Sequence, residues 1–505
     1  MPTIDAVLSR AALAAPEQLA VREWSTGRSL TYDALDRAVS ALAGWMAARG
    51  FGAGAAVAIH LPNSADFLIA QFASFRSSGV AAYVNFRLAA SEAARQIGLS
   101  GARFVVTTAA KAQELRGLLE GTEVVFVLSD GAGPAGESLA GIVAAGGDVA
   151  SPEGREDSDA IIRFTSGSTG APKGVVVSHQ AWLIRAVSIL AEEIQVCPYS
   201  TTLLLGPLSH QAGLFVLPTF MRRGTLLILE KFDADDVARI LATERVSCSQ
   251  MVPTILGFVL ENAASREALR LSGVRQLVYG GSPARASLVE ETLALLPQTE
   301  LMHVYGSHEA GSISHLDGAG HRNPQLRGSA GTPFLAAQVR VARPDRDGIG
   351  EIEVKAPWLP HARITEAGRE TLTAEWAATG DLGEMKDGYI FLRDRMNDVI
   401  ISGGFNVYPA EVERVINDFP AVRDSAVVSA PDDRWGERVV AFVAVRNPSD
   451  FSPEALQQHC RASLASYKVP KEIHAIAAIP LNANGKPDRR ALSDPIWAGR
   501  SRRIN

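Results

Sequence analysis

The segment AAVAIHLPNSADFLIAQFASF, residues 55–75, narrows the fold more than any other stretch of this chain. It reads as an apolar strand, a turn at Pro62–Asn63, and a helix opened by Asn63 or Ser64. The same grammar recurs at FVVTT, VVFVL and TLLLGPL, and such alternation predicts a parallel sheet covered by helices. Upstream, LTYDALDRAVSALAGWMAARG predicts an amphipathic helix with Thr31 as N-cap, Leu35, Val39, Leu42 and Met46 at helical spacing, and Gly50 as its stop. From about residue 325 the texture changes to short strands and Asp-Gly punctuation, which predicts a small β subdomain. RDRMNDVIISGGFNVYPAEVERVI then supplies a charged link, a short strand, a glycine pair and a helix begun near Pro409. The expected organisation is α/β. A large N-terminal domain, residues 1–396, combines helix-covered sheets with the β subdomain. A small mobile α+β lid, residues 397–505, has strands at SAVVSA and RVVAFVAV and a helix after Ser452–Pro453.

A chain of 505 residues exceeds what one hydrophobic core supports, so an enzyme of several lobes fits. Lys and Arg number 49 against 55 Asp and Glu, and no long basic run occurs, which argues against nucleic acid or an anionic membrane as the main partner. Cys197, Cys248 and Cys460 are scattered without metal-ligand spacing and read as small buried hydrophobes in a reducing compartment. The N-terminal run lacks a basic leader region and is broken by Arg10 and Glu17, and no stretch approaches the ~18 apolar residues of a membrane helix. A cytoplasmic protein is expected. Oligomeric state is not legible.

Chemistry concentrates in RFTSGSTGAPKGV, residues 163–175. Glycines let backbone N–H groups approach a ligand, hydroxyls add donors, and Lys173 adds a point charge, together a cradle for several phosphate oxygens. The Walker pattern needs Gly directly before Lys and Ser or Thr after it, whereas Pro172 and Gly174 flank Lys173 here. This is a phosphate loop of another kind; the plainer reading is a polar hairpin tip between two apolar strands.

With this loop the chain also carries PLSHQAG (207–213), YGGSP (279–283), VYGSHEAG (304–311), ATGDLG (378–383), DRMND (394–398), ISGGFNVYPAEVE (401–413) and NANGKPDRR (482–490). In this order and spacing they resemble the adenylate-forming superfamily: acyl-CoA and aryl-CoA ligases, peptide-synthetase adenylation domains and luciferases. The resemblance covers essentially the whole chain. It implies activation of a carboxylic acid by ATP to an acyl-adenylate, followed by transfer to a thiol.

The resemblance also implies roles. Thr165, Ser166, Gly167, Ser168, Thr169, Gly170 and Lys173 hold the phosphates. Gly281, Ser282 and Pro283 lie along adenine, and Tyr305, Gly306 and Ser307 complete the nucleotide site. Asp381 takes the ribose hydroxyls beside Arg395. Glu309, with Thr169, holds Mg2+. Lys486 reaches the reacting oxygens during adenylation, although alone it would read as a surface charge. Asn397 stands at the hinge, where most relatives have Asp or Lys. Gly403 and Gly404 flank a tunnel for the CoA thiol arm. Trp435, Tyr467 and Lys468 meet the CoA nucleotide, or are ordinary packing of a small domain.

Two departures stand out: Ser307–His308 replaces the usual Thr before the Glu, and APWLPHARITEAGRE lacks a common aromatic Gly-Tyr pattern. An imidazole N–H donates to an α-phosphate oxygen as a hydroxyl does, so His308 is either a conservative replacement or a sign of altered chemistry. The acid is expected among His210, Gln211, Ala212, Gly281, Ser282, Gly311 and Ser312, with His210 near the carboxylate. Small and polar walls suit a short or aromatic acid with a polar substituent. Alternatives to CoA transfer are transfer to a carrier-protein phosphopantetheine and activation of nitrite to diazotise an aryl amine. A non-catalytic nucleotide binder is disfavoured because Lys173, Glu309, Asp381, Arg395 and Lys486 are all present.

Overall fold

The computed structural model describes residues 3–133, 136–147, 156–166, 172–282, 284–307, 309–403, 405–447, 449, 451–481 and 487–498, with the side chains of Thr165, Ser166 and Asn397 left out. Two nine-stranded sheets, counted over the described residues, build the large domain. The first contains the parallel strands Thr201–Leu204, Thr225–Ile228, Val246–Met251, Gln276–Gly280 and Glu300–Ser307. The second contains Ala56–His60, Val80–Tyr83, Ala102–Thr107 and Asp159–Ser166, again parallel to one another.

Between the sheets lies the largest core, filled by helices Tyr32–Ala47, Ala65–Arg76 and His179–Glu192. Thr31 caps the first, accepting from Ala34 N at 3.2 Å, and Leu35, Val39, Leu42 and Met46 are all buried. Ser64 caps the second in the same way, accepting from Phe67 N at 3.2 Å. All of its residues are buried, as expected of a helix enclosed on every side. Helices Ala90–Ser100 and Ala109–Arg116 cover the outer face of the second sheet, and Ala234–Thr243, Pro253–Glu261 and Ala286–Leu295 that of the first. The layers therefore alternate helix, sheet, helix, sheet, helix.

Asn63 does more than turn the chain. Its amide donates to Gly206 O at 2.8 Å and Leu229 O at 3.2 Å and accepts from Leu208 N at 2.8 Å. It thus ties a strand end of one sheet to strand ends of the other and fixes the loop that leads into Ser209–Ala212.

The β subdomain is a four-stranded antiparallel sheet, Gln338–Ala342, Gly350–Lys355, Ala377–Lys386 and Tyr389–Arg395. The stretch between is different from expectation. Ala362–Thr365 and Gly368–Thr371 leave the subdomain and extend the second large sheet beside Pro172–Ser178. Ala362 and Ile364, two residues apart on one face, join the outer core with Ile162 and Val176. Asp159 pins this edge through His361 Nε2 at 2.8 Å and Arg369 Nη1 at 2.7 Å.

A small C-terminal α+β domain follows the 3-10 turn Met396–Asp398. Its central strand Gly436–Val445 pairs with Val422–Asp432 and Glu472–Ile476, and helices Pro409–Asn417 and Pro453–Ser463 pack on it. Among the described residues no helix is long and apolar enough to cross a membrane.

Candidate active site

Thr165, His210, Gln211, Gly281, Ser282, Tyr305 and Ser307 lie at or just beyond the C-terminal ends of parallel strands, where open α/β sheets bind ligands. Asp159–Ser166 and Pro172–Ser178 pair antiparallel, with Thr165 opposite Lys173 and Phe164 opposite Gly174. They form the two arms of a hairpin. A Cβ at Gly174 would lie 3.0 Å from Ile162 Cγ2 and 3.1 Å from Phe164 Cε1, so the glycine keeps the arms close. Gly167, Ser168, Thr169 and Gly170 lie outside the described residues, as do Pro283, His308, Gly404 and Lys486. Two surface clefts, one of about 350 Å³ beside Glu193 and Gln195 and another beside Arg245 and Ser247, open at the opposite, N-terminal ends of the strands. Neither touches the predicted residues.

Tyr305, Asp381 and Arg395 form one cluster. Asp381 and Arg395 are direct partners across neighbouring strands, and Arg395 Nε reaches Asp381 Oδ1 at 2.9 Å. The Tyr305 hydroxyl donates to Asp381 Oδ2 at 2.7 Å. Thr379 Oγ1 accepts from Asp381 N at 3.1 Å and fixes the backbone beneath. Burial, reinforced by the Asp381 charge, raises the Tyr305 pKa well above its usual value, so the phenol stays a donor. Each carboxylate oxygen keeps a lone pair for a further donor such as a sugar hydroxyl.

Four residues beyond Tyr305, Glu309 is exposed and makes no ion pair among the described residues. Ser307 Oγ accepts from Ala310 N at 2.9 Å and closes the turn that presents it. A lone hard-oxygen donor fits Mg2+, which keeps several waters and takes phosphate oxygens instead of a full protein cage. No group of three or more metal-ligating side chains exists among the described residues.

Gln211 lies against the glycine pair: a Cβ at Gly281 would stand 2.8 Å from its Oε1. Ala212 is fully buried, and His210 Nδ1 lies 2.8 Å from Ser209 Oγ. Gly311 has φ +75°, and a Cβ there would sit 2.6 Å from Trp358 Cδ1 and 3.6 Å from Arg185 Cζ, so glycine is required on both counts. Ser312 Oγ accepts from Arg185 Nε at 3.1 Å and its carbonyl accepts from Trp358 Nε1 at 3.1 Å.

Sequence reasoning missed Arg163, Trp182, Arg185, Gln250 and Trp358. All are buried or nearly so behind the predicted wall. A signal existed: an arginine interrupts the apolar strand AIIRF and another the apolar helix HQAWLIRAVSIL. Gln211 Oε1, both polar atoms of Gln250, and Arg163 Nε are buried without a hydrogen-bond partner. Such atoms are rare in folded proteins and mark a place for a polar ligand.

In the C-terminal domain Gly403 and Trp435 meet. Gly403 N donates to Trp435 O at 2.8 Å, its φ is +60°, and a Cβ would lie 2.6 Å from Trp435 Cε3. Tyr467 stacks on Phe405 at 4.7 Å, and Lys468 Nζ pairs with Glu411 at 2.7 Å. Ser402 and Phe405 are strand partners, which puts the Gly403–Trp435 contact near the Phe405–Tyr467 stack. Trp435 and Phe405 are 45% and 51% exposed, unusual for aromatics in a packed core. At the domain junction Asp394 accepts from Ala410 N at 2.7 Å, capping a helix of the small domain from the large one. Burial pushes the Asp394 carboxyl up to about 6 despite that bond.

A two-lobed α/β fold with a fixed carboxylate and an exposed acidic turn near the ends of parallel strands suits a nucleotide-using enzyme. Residues 8–360 match the family model for AMP-binding enzymes and residues 411–486 that for their C-terminal domain, and the chain belongs to this family. It is 32% identical to the long-chain-fatty-acid–CoA ligase FadD13 of Mycobacterium tuberculosis, over 99% of both chains. It is 34% identical to feruloyl-CoA synthase of Amycolatopsis sp, over 94% of this chain and 96% of that one. MatB from Rhodopseudomonas palustris, solved with ATP bound, superposes with TM-score 0.87 at 26% identity, covering 99% of each chain. The first two are named for different acids, a long-chain fatty acid and a feruloyl group, so family membership leaves the acid open.

Proposed function

We propose that the chain is an ATP-dependent acid:CoA ligase for a short or aromatic acid bearing a polar substituent. The observation that carries this is the Asp381 carboxylate held by Arg395 and by Tyr305, whose own strand leads on to Glu309. That arrangement suits a ribose next to a metal-bound triphosphate.

In the first half-reaction a carboxylate oxygen attacks the α-phosphorus and the bond to pyrophosphate breaks. Residues 165–170 and Lys173 hold the phosphate chain, while Gly281, Ser282 and Pro283 lie along the base. His308 donates to an α-phosphate oxygen, and His210 orients the carboxylate. Glu309 and Thr169 would hold Mg2+, which neutralises triphosphate charge when bound. Lys486 meets the oxygens on which charge builds, so its contacts belong to the transition state. In the second half-reaction the small domain has rotated about Asn397, and the thiol enters past Gly403 and Gly404. Its sulfur attacks the acyl carbon, the thiol proton is lost, and AMP leaves with the carboxylate oxygen. Trp435, Phe405, Tyr467 and Lys468 offer a stacking and pairing surface for the CoA nucleotide.

The test is a pyrophosphate-release screen over carboxylic acids, aryl amino acids and nitrite, each with and without CoA. Acid-dependent release and a CoA thioester are expected. Release with nitrite alone, or a product formed only with a carrier protein, would replace this reading.

A further inference from the structure

Arg76 shows how this fold accommodates a buried guanidinium. It is 4% exposed and bonds to Asp5, Asp36, Ser9 and Ser40, two of them carboxylates. Arg163 and Arg185 are equally buried, at 5% and 7% exposed, and neither makes an ion pair among the described residues. The Arg163 side chain, its Nε buried without a partner, makes no hydrogen bond there either, and the Arg185 side chain bonds only to Ser312. Both lie near the Trp182 ring, whose centroid is 5.7 Å from the Arg163 guanidinium carbon and 5.4 Å from that of Arg185. Two unpaired cations in one dry space are costly, because each is desolvated and each repels the other.

Burial pulls Arg163 down to about 10, with Tyr83 and Glu309 opposing, and pulls Arg185 down to about 9, helped by Arg163 and opposed by Glu193. Both remain cationic at neutral pH. Glu193 is itself buried and pushed up to about 8, so it supplies little negative charge to Arg185. The arginines border the acid wall: Arg185 touches the back of Gly311, and Arg163 feels the Glu309 charge.

We propose that Arg163 and Arg185 bind a second carboxylate on the acid being activated, so that the substrates are short or aromatic dicarboxylic acids. This rests on the acid-activation reading above. The first carboxylate lies toward His210 and Glu309, the acid's middle against Trp182, and the second between the guanidinium groups, where each gains the partner it lacks. Gln211 Oε1, which faces Gly281, is a further buried polar atom without a partner on the acid wall. A neutral alkyl chain would leave both cations unpaired and is rejected for that reason.

The experiment is ATP–pyrophosphate exchange by the full chain. The probes are short α,ω-dicarboxylates and benzenedicarboxylates, each beside its monomethyl ester and the matching monocarboxylate. At least one diacid should exceed its monoester by roughly tenfold or more in kcat/KM, and Arg163→Met and Arg185→Met should each remove that preference. Arg163→Met should melt no lower than wild type, since it deletes an unpaired buried charge. A monoester or monocarboxylate used as well as every diacid by wild type overturns the proposal, and that comparison needs no variant to fold. A preference that survives both substitutions also overturns it. Failure of acid activation itself looks different: no acid supports exchange although ATP still raises the melting temperature.

Discussion

Tyr305 joins the first large sheet to the β subdomain through one hydrogen bond, to a carboxylate that also holds Arg395. Tyr305→Phe removes the donor and keeps the ring. A bond of this kind is worth ~1 kcal/mol, so the KM for ATP should rise about fivefold with little change in the rate at saturating ATP. An unchanged KM would show that Asp381 is positioned without the phenol. The contact was not legible in the sequence, because residues 305 and 381 are brought together only by packing of two separate sheets. Asp381 itself was legible, as was its strand partner Arg395, since both stand in short motifs. Arg163 and Arg185 were visible as charges within apolar runs, but their lack of counterions is a property of the folded interior.

At the scale of elements, local chemistry predicted most of what the chain does. Thr31 and Ser64 cap the helices expected after them, and Pro409 opens the helix expected there. These were readable because cap and helix are neighbours in sequence. The 362–371 hairpin was misplaced in the β subdomain because edge pairing is decided by a strand far away in sequence. Its anchor offers a test. Hydrogen bonds from His361 and then Arg369 hold the Asp159 carboxyl down at about 2. Below the ordinary carboxylate value of 3.8 the unfolded chain therefore takes up the proton first. The stabilisation is complete above that value and is lost as pH falls through about 2. Asp159 is only half-buried, so Asp159→Asn should cost ~1 kcal/mol or less at neutral pH. The gap in melting temperature between variant and wild type should close as acid is added; a constant gap would mean the anchor is not ionic.

At the scale of the molecule, the proposed reaction is divided between two placements of the small domain. Lys486→Ala should abolish most pyrophosphate exchange while sparing thioester formation from supplied acyl-adenylate, and equal loss in both assays would deny the division. The converse variant is Gly403→Ala. Its Cβ would collide with Trp435 at a backbone angle that disfavours side chains, so thioester formation should slow while exchange persists.

Both assays presuppose an acyl-adenylate, and oxygen tracing tests that directly. With an accepted acid labelled with oxygen-18 in its carboxylate, and with CoA and ATP supplied, the AMP released should carry one labelled oxygen, because the oxygen that attacks phosphorus leaves with AMP. AMP free of label, formed alongside the thioester, would contradict the account.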